Sequence, residues 1–296
     1  MSRTIRTGRV RFHPPAVDEI YASGLTPVDM HVHTCYSDSV VRVRDLLSYA
    51  EERGIGVAIT DHNTVEGVRE ACTIGSCVPL IPGIEVSAGD GPHLLLYFFN
   101  PDDLFDFYTQ HVKDYRRGNP FMAIGLSTEE ILERASEFKC VKIAAHPFGY
   151  AILDRGVLKC IGKACLPEEV LLDLDGIEVI CGALGRRLND RAAIFAGRTD
   201  LGITGGSDGH RLAEVGSVLT CCRADSPGEF LDSILHRENI VIGSERGSLR
   251  KGMTAGIVVI KFLPYTIPSL RIHYEQSIPR IRRFLGKIME TQGRLR

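Results

Sequence analysis

The sequence predicts an α/β protein in which about seven strands alternate with helices, as in a parallel barrel or an open α/β sheet. Three observations carry that reading. Apolar stretches of strand length are separated by stretches with helical spacing of their apolar residues. Several strand stretches end on histidine, aspartate or glutamate, and chemistry gathers at the carboxyl ends of strands in such barrels. The 296 residues are enough for one large barrel or two smaller domains.

Residues 1–27 read as a short extension, with a strand over 9–12 broken by His13-Pro14-Pro15 and a helical turn over 17–23. The alternation begins with a strand over 28–33. A helix over 43–53 places Leu46, Leu47 and Ala50 on one face and stops at Gly54. A strand over 57–62 leads into a helix to about residue 71. Residues 78–86 form an apolar strand punctuated by Pro79, Pro82 and Gly83, and 93–99 form another before a helix over 102–115. Ser127-Thr128-Glu129-Glu130 signals a helix start that runs to about residue 138. Strands over 141–146, 176–181, 202–208 and 240–243 follow, with helices over 167–174, 189–201 and 227–237 between them.

Composition is that of an ordinary globular protein, 44% hydrophobic and 24% charged. The nine cysteines are odd in number and contain no Cys-x-x-Cys, so reduced thiols are expected, with Cys140 and Cys181 serving as small hydrophobes in apolar runs. The polar, basic N-terminus lacks an apolar core segment, and the apolar stretch 255–268 is interrupted by Lys261 and Pro264. A cytoplasmic protein with no membrane segment is expected. Charge is unevenly spread: residues 246–296 hold 11 of the 35 Lys+Arg but only Glu275 and Glu290 of the 37 Asp+Glu. This divides the chain into an extension (1–27), an acidic body (28–245) and a basic tail (246–296). Within the tail, 278–289 sets Ile281, Leu285 and Ile288 beside Arg282, Arg283 and Lys287, an amphipathic helix expected to pack on the body. Contact with nucleic acid through the tail is the alternative.

Side chains at i and i+2 of a strand share a face, so His31 and His33 project together, with Asp38 on the loop beyond. His62 and His146 close their strands, Glu85 lies near the end of its own, and Asp208-Gly209-His210 end another. His93 is the exception, because it precedes its strand. Six of the ten histidines thus join three carboxylates, a set expected at a metal or catalytic site. Mixed imidazole and carboxylate ligands suit manganese, zinc or iron and argue against calcium or a thiolate site. His13, His111, His236 and His273 are read as surface or packing residues.

The segments His31-Val32-His33-Thr34-Cys35-Tyr36-Ser37-Asp38, Thr60-Asp61-His62-Asn63, Pro82-Gly83-Ile84-Glu85, Ala145-His146-Pro147 and Gly206-Ser207-Asp208-Gly209-His210 together resemble the motifs of the PHP (polymerase and histidinol phosphatase) family. The resemblance covers about 28–243, and 177–221 is similar to a segment often associated with such domains. It implies a distorted seven-stranded (β/α)7 TIM-like barrel and a metal-dependent phosphoesterase with two or three divalent ions. In trinuclear members the matching positions divide so that His31, His33, Glu85 and Asp208 hold one ion. Glu85 bridges to a second with His93 and His146, while Asp38, His62 and His210 hold the third. Ser39 departs from the pattern, since the family usually has glycine there; the departure bears on loop conformation rather than on metal binding.

The mechanism this implies is in-line attack on phosphorus by a hydroxide bridging the metals, with Glu85, Asp208 and His210 as catalytic residues. No protein nucleophile is needed, and Cys35 is read as a small filler. Arg186 and Arg187, with Arg117 and its neighbour Arg116, are the candidates for holding phosphate. The acidic body favours a small phosphomonoester or nucleotide over a long nucleic acid. An exonuclease on DNA or RNA oligonucleotides is the runner-up, and a non-catalytic metal-binding scaffold or a metal-dependent amide hydrolase are readings of other classes.

Overall fold

The computed structural model describes residues 7–150 and 155–278. Its centre is one mixed sheet of ten strands: β1 (Val10–Arg11), β2 (Thr26–Val32), β3 (Gly56–Ile59), β4 (Leu80–Ser87), β5 (His93–Phe98), β6 (Cys140–Ala144), β7 (Gly176–Cys181), β8 (Gly202–Gly206), β9 (Val218–Cys222) and β10 (Ile240–Gly243). The spatial order is β1-β10-β9-β2-β3-β4-β5-β6-β7-β8. Strands β3, β5, β7, β8 and β9 are buried at every position, which is why they read as unbroken apolar runs rather than as alternation.

The sheet curls until its far end meets β2. The His33 N–H donates to Gly209 O at 3.0 Å, and the Gly209 N–H donates to His31 O at 3.3 Å. A Cβ at Gly206 would lie 2.3 Å from the His31 Cβ and 2.4 Å from its backbone nitrogen, so only glycine permits this approach. The expected seven-stranded barrel is therefore replaced by a curled ten-stranded sheet. Strand β9 was hidden because a five-residue buried run carries no periodicity of its own. Strand β1 extends the sheet from the N-terminal segment by pairing with β10.

The helices are α1 (Val17–Ala22), α2 (Val43–Arg53), α3 (Glu66–Ile74), α4 (Pro101–His111), α5 (Thr128–Ala135), α6 (Val157–Gly162), α7 (Arg186–Ala196), α8 (Pro227–Leu235) and α9 (Ser248–Phe262). Leu46, Leu47 and Ala50 of α2 are buried, and the helix ends on Gly54 at φ 62°, as their spacing predicts. Helix α5 starts with the expected reciprocal cap: Glu130 Oε2 accepts from the Ser127 N–H at 2.7 Å while the Ser127 hydroxyl accepts from the Glu130 N–H. The helix expected over 167–174 is a 3₁₀ helix at Glu168–Asp173, and α6 was not anticipated.

Helix α9 corrects another expectation. Pro264 does not end the apolar segment; it sits in the first turn of a 3₁₀ step at Leu263–Tyr265, where its missing N–H has no partner to lose, and the helix continues to Ile278. The resulting segment is long and apolar enough, by length and composition, to cross a membrane, and little of it is buried. It nevertheless runs along the body, tied by Asn119 Nδ2 donating to Ser269 Oγ at 2.9 Å and by an Arg117–Glu275 ion pair at 2.7 Å. Most of the amphipathic helix expected at 278–289 lies outside the described residues.

Gly206→Ala is expected to destabilise the protein by about 1–3 kcal/mol through forced overpacking against His31. A fall of several degrees in Tm by calorimetry would show it; an unchanged Tm would mean that the β8–β2 approach is looser than described.

Candidate metal centre

All nine residues singled out at strand ends converge in one buried cluster, none more than 6% exposed. His93 ceases to be an exception. Strand β5 runs antiparallel to both neighbours, with Ser87 opposite His93 and Leu94 opposite Ala144. Its amino end therefore lies on the rim where parallel strands present their carboxyl ends. Backbone strain concentrates here as well: His146 (φ 28°), Asp208 (φ 51°) and Asn63 (φ 50°) are left-handed without being glycine.

Four groups of three ligand atoms lie within 4.8 Å of one another: His31, His33 and Asp208; His33, Asp38 and His210; His33, His62 and Glu85; and Glu85, His93 and His146. Glu85 sits between groups. Its Oε1 is 2.9 Å from His93 Nδ1 and 3.0 Å from His146 Nε2, while its Oε2 is 3.4 Å from both His31 Nε2 and His33 Nε2. His210 Nε2 is 3.1 Å from Asp38 Oδ1. His62 leans to Glu85 (3.0 Å) more than to Asp38 (3.7 Å), so it stands between the groups rather than with Asp38 and His210 alone.

A ring of further buried groups fixes these ligands. Glu178 Oε1 accepts a hydrogen bond from His31 Nδ1 at 3.0 Å, and its Oε2 accepts from the His146 N–H at 2.7 Å. That bond turns His31 Nε2 toward the cluster. Asp61 accepts from the Thr34 N–H, the Thr34 hydroxyl and the Ser37 hydroxyl, each at 2.6 Å, and so shapes the loop that carries Asp38. Asp29 accepts from the N–H groups of Ser207 and Gly216 at 2.8 Å, yet burial lifts its carboxyl to about 6. The hydroxyl of Ser39 donates to His210 O at 3.0 Å and accepts from the Val41 N–H, joining two ligand loops where the family pattern has glycine.

Charge inside the cluster sorts the imidazoles. Burial pushes His62 down to about 4 and His93 to about 3, with the Arg155 guanidinium adding to both. Burial also opposes charge on His31 and His210, but the carboxylates win: Glu178, Glu85 and Asp208 hold His31 well above its ordinary value, and Asp38 raises His210 to about 9. Burial disfavours the charged forms of Glu85 and Asp208 too, and the surrounding imidazoles still draw both well below the usual range. His33 Nδ1 and His146 Nδ1 are buried without a hydrogen-bond partner. Unpaired imidazole nitrogens beside ionised carboxylates form a donor set that fits divalent transition metals.

All of the nine except His31 and His33 line the floor of a cavity of about 650 Å³. Arg155, Arg246 and Lys251 line it, and none of them was singled out from sequence. Arg246 spends its guanidinium on Glu214, Gly182 O and Asp208 O, thereby positioning the Asp208 loop. The Tyr150 hydroxyl donates to Asp208 Oδ2 at 2.7 Å. The arginines expected to hold phosphate lie elsewhere. Arg186 pairs with Glu245 at 3.2 Å and stacks on Phe12, Arg117 pairs with Glu275, and neither they nor Arg116 and Arg187 line the cavity. Cys35 is exposed rather than a filler, and it too is absent from the lining. His273, read as a tail residue, does line it.

The PHP domain family matches residues 29–151, and the PHP-associated family matches 186–239. The chain belongs to the PHP family. Its relatives include the uncharacterized protein MJ1587 of Methanocaldococcus jannaschii, 31% identical over 165 residues, which cover 51% of this chain and 79% of that protein. Among solved structures, the lesion-specific endonuclease PfuEndoQ of Pyrococcus furiosus is 18% identical with a TM-score of 0.58, over 73% of this chain and 57% of that one. An amidohydrolase of Chromobacterium violaceum with bound sulfate and no metal is 20% identical with a TM-score of 0.52, over 64% of this chain and 89% of that one. At these identities the two structures show a shared fold.

Glu178→Ala would leave the buried His31 Nδ1 and the His146 N–H without acceptors. A loss of about 3–5 kcal/mol is expected, read as a lowered midpoint in urea; an unmoved midpoint would mean that Glu178 is not what holds these two ligands.

Proposed function

We propose that this PHP protein is a metal-dependent phosphoesterase that hydrolyses a small phosphomonoester or nucleotide, using manganese, zinc or iron held by the nine clustered residues. The observation that carries the reading is the set of four overlapping ligand groups, three through His33 and two through Glu85, most of whose members line the cavity floor. Divalent ions in these groups would supply Lewis acidity toward a phosphoryl oxygen.

The chain's own residues contribute the remainder. The neutral imidazoles of His62 and His93 are ready to ligate, and the ionised carboxylates of Glu85 and Asp208 balance the cationic charge of bound ions. Tyr150 and Arg246 hold the Asp208 loop in place, one through the carboxylate and the other through the backbone carbonyl. Arg155 and Lys251 present positive charge to the cavity, the need that phosphate recognition imposes. No cysteine is set up as a nucleophile: Cys35 is exposed outside the cavity, and burial pushes the Cys181 thiol well above its ordinary value.

Oligonucleotide hydrolysis is the competing outcome, favoured by the basic stretch 246–296. A screen of manganese-loaded protein against phosphomonoesters, phosphodiesters and short oligonucleotides decides between them. Activity on oligonucleotides alone would overturn the small-substrate reading. Glu85→Ala, which removes the carboxylate shared between groups, is expected to abolish hydrolysis and metal retention together; full activity in that variant would end the proposal.

Metal loading should also release protons. In the metal-free protein the neighbouring carboxylates favour the protonated forms of His31, held well above its ordinary value, and of His210, raised to about 9. Ligation requires both rings neutral, so a release of about two protons is expected. It is measured as a dependence of the calorimetric heat of manganese binding on buffer ionisation enthalpy. Heats independent of the buffer would remove these two residues from the ligand set.

A further inference from the structure

The cavity above the cluster has two chemically different sides. Its floor is imidazole and carboxylate, with Arg155 beside it. Its roof is α9 and the helical turns that follow, where an apolar stretch of Val258, Val259, Phe262, Leu263 and Leu270 is flanked by polar residues such as Lys251, Thr254 and His273. The roof lies outside the stretches 29–151 and 186–239 that match the family.

Two features separate this wall from ordinary core packing. An amphipathic surface helix commonly buries its apolar face against the body and turns its polar face outward. Here much of the attachment is polar. Thr254 bonds to Glu214, Asn119 to Ser269, Arg117 to Glu275 and Gln276 to Gly89 O. Apolar side chains are left facing the cavity mouth: Val259, Leu263 and Leu270 line it while remaining 60%, 62% and 64% exposed. The stripe continues onto the outer face through Ile260 and Ile267, 66% and 81% exposed. Second, the wall is already in place. Phe262 lies against Phe121, with ring centroids 6.0 Å apart, and packs on Met122, Ala123 and Ile272. Its ties to the body span positions 254 to 276, so the roof is anchored along its length.

A phosphate alone fills a small part of 650 Å³ and makes no use of such a wall. The polar sugar and repeated charges of an oligonucleotide would meet it without partners. We infer that the substrate is an amphiphilic phosphoester, its phosphate over the imidazole and carboxylate floor and its alkyl, isoprenoid or aryl group along α9. This rests on the phosphoesterase reading and narrows its substrate class. In the reaction the P–O bond to the apolar alcohol breaks. The oxygen of water goes to phosphorus and a proton to the departing alcohol.

The test is calorimetric binding of n-alkylphosphonates, from methyl to octyl, together with inorganic phosphate, to the manganese-loaded full chain. Each methylene laid on the wall should tighten Kd about fourfold. The heat capacity of binding should grow more negative with chain length. The gain should level off once the chain outruns the roof. The double variant Val259→Asp with Leu263→Asp, at exposed positions that do not support the fold, should flatten the series. A flat series in the unaltered protein, with phosphate still bound, overturns this inference alone. That includes a flat series caused by a second copy of the chain covering the helix. Loss of phosphate and methylphosphonate binding removes the phosphoesterase reading and this inference with it. Co-sedimentation with phosphatidylcholine vesicles, with and without phosphatidate, identifies the source. Phosphatidate-dependent retention that the double variant loses assigns a bilayer lipid, and a chain-length series without retention assigns a soluble amphiphile.

Discussion

The organisation of this molecule turns on keeping the buried Glu85 carboxylate ionised at the floor of the cavity. Taken from water alone, such a group would neutralise itself by picking up a proton. It stays charged because imidazoles from four other strand ends surround it, two on Oε1 and three on Oε2, at 3.4 Å or less. Those imidazoles are held by an outer layer of carboxylates, Glu178 among them, whose own bonds are to ligand rings and backbone N–H groups. The arrangement is a nest of alternating charge. Removing one member leaves its neighbours unpaired rather than merely weakening a contact.

The sheet exists in the form that this nest requires. Strands with their carboxyl ends on one rim supply His31, His33, Glu85 and His146 near their termini, and an antiparallel strand delivers His93 by its other end. Closure of β8 onto β2 brings Asp208 and His210 across to His33, and two small residues make room for it. Gly206 admits the β2 backbone, and Gly205 admits Val241, whose Cγ1 would lie 2.4 Å from an added Cβ.

The cluster was legible in the sequence because each ligand sits at a boundary that local chemistry marks: an apolar run ends and a titratable side chain follows. The same rule found most strands and the α5 cap. It failed where the decisive information is not local. Strand β9 is a short buried run with no period. Glu178 lies in mid-strand and looks like an interruption of an apolar stretch until the fold sets it beside His31. Arg155 and Arg246 enter the cavity from loops whose paths only the tertiary structure defines, whereas Arg186 and Arg187, at a strand-end loop, are led away by Glu245 and the α7 surface. Pro264 was read as a stop because its effect depends on whether it falls inside a helix or at the start of a new turn.

The polar attachment of α9 has a consequence for how such a protein can diverge. The roof meets the body through a handful of hydrogen bonds and one small apolar cluster, and Glu214, which accepts from both Thr254 and the His210 N–H, ties it to the ligand loops below. Under the proposed substrate reading, selectivity is written largely in α9 and reactivity in the strand ends below it. Substitutions along that helix would then exchange what is admitted while the chemistry performed on it stays the same.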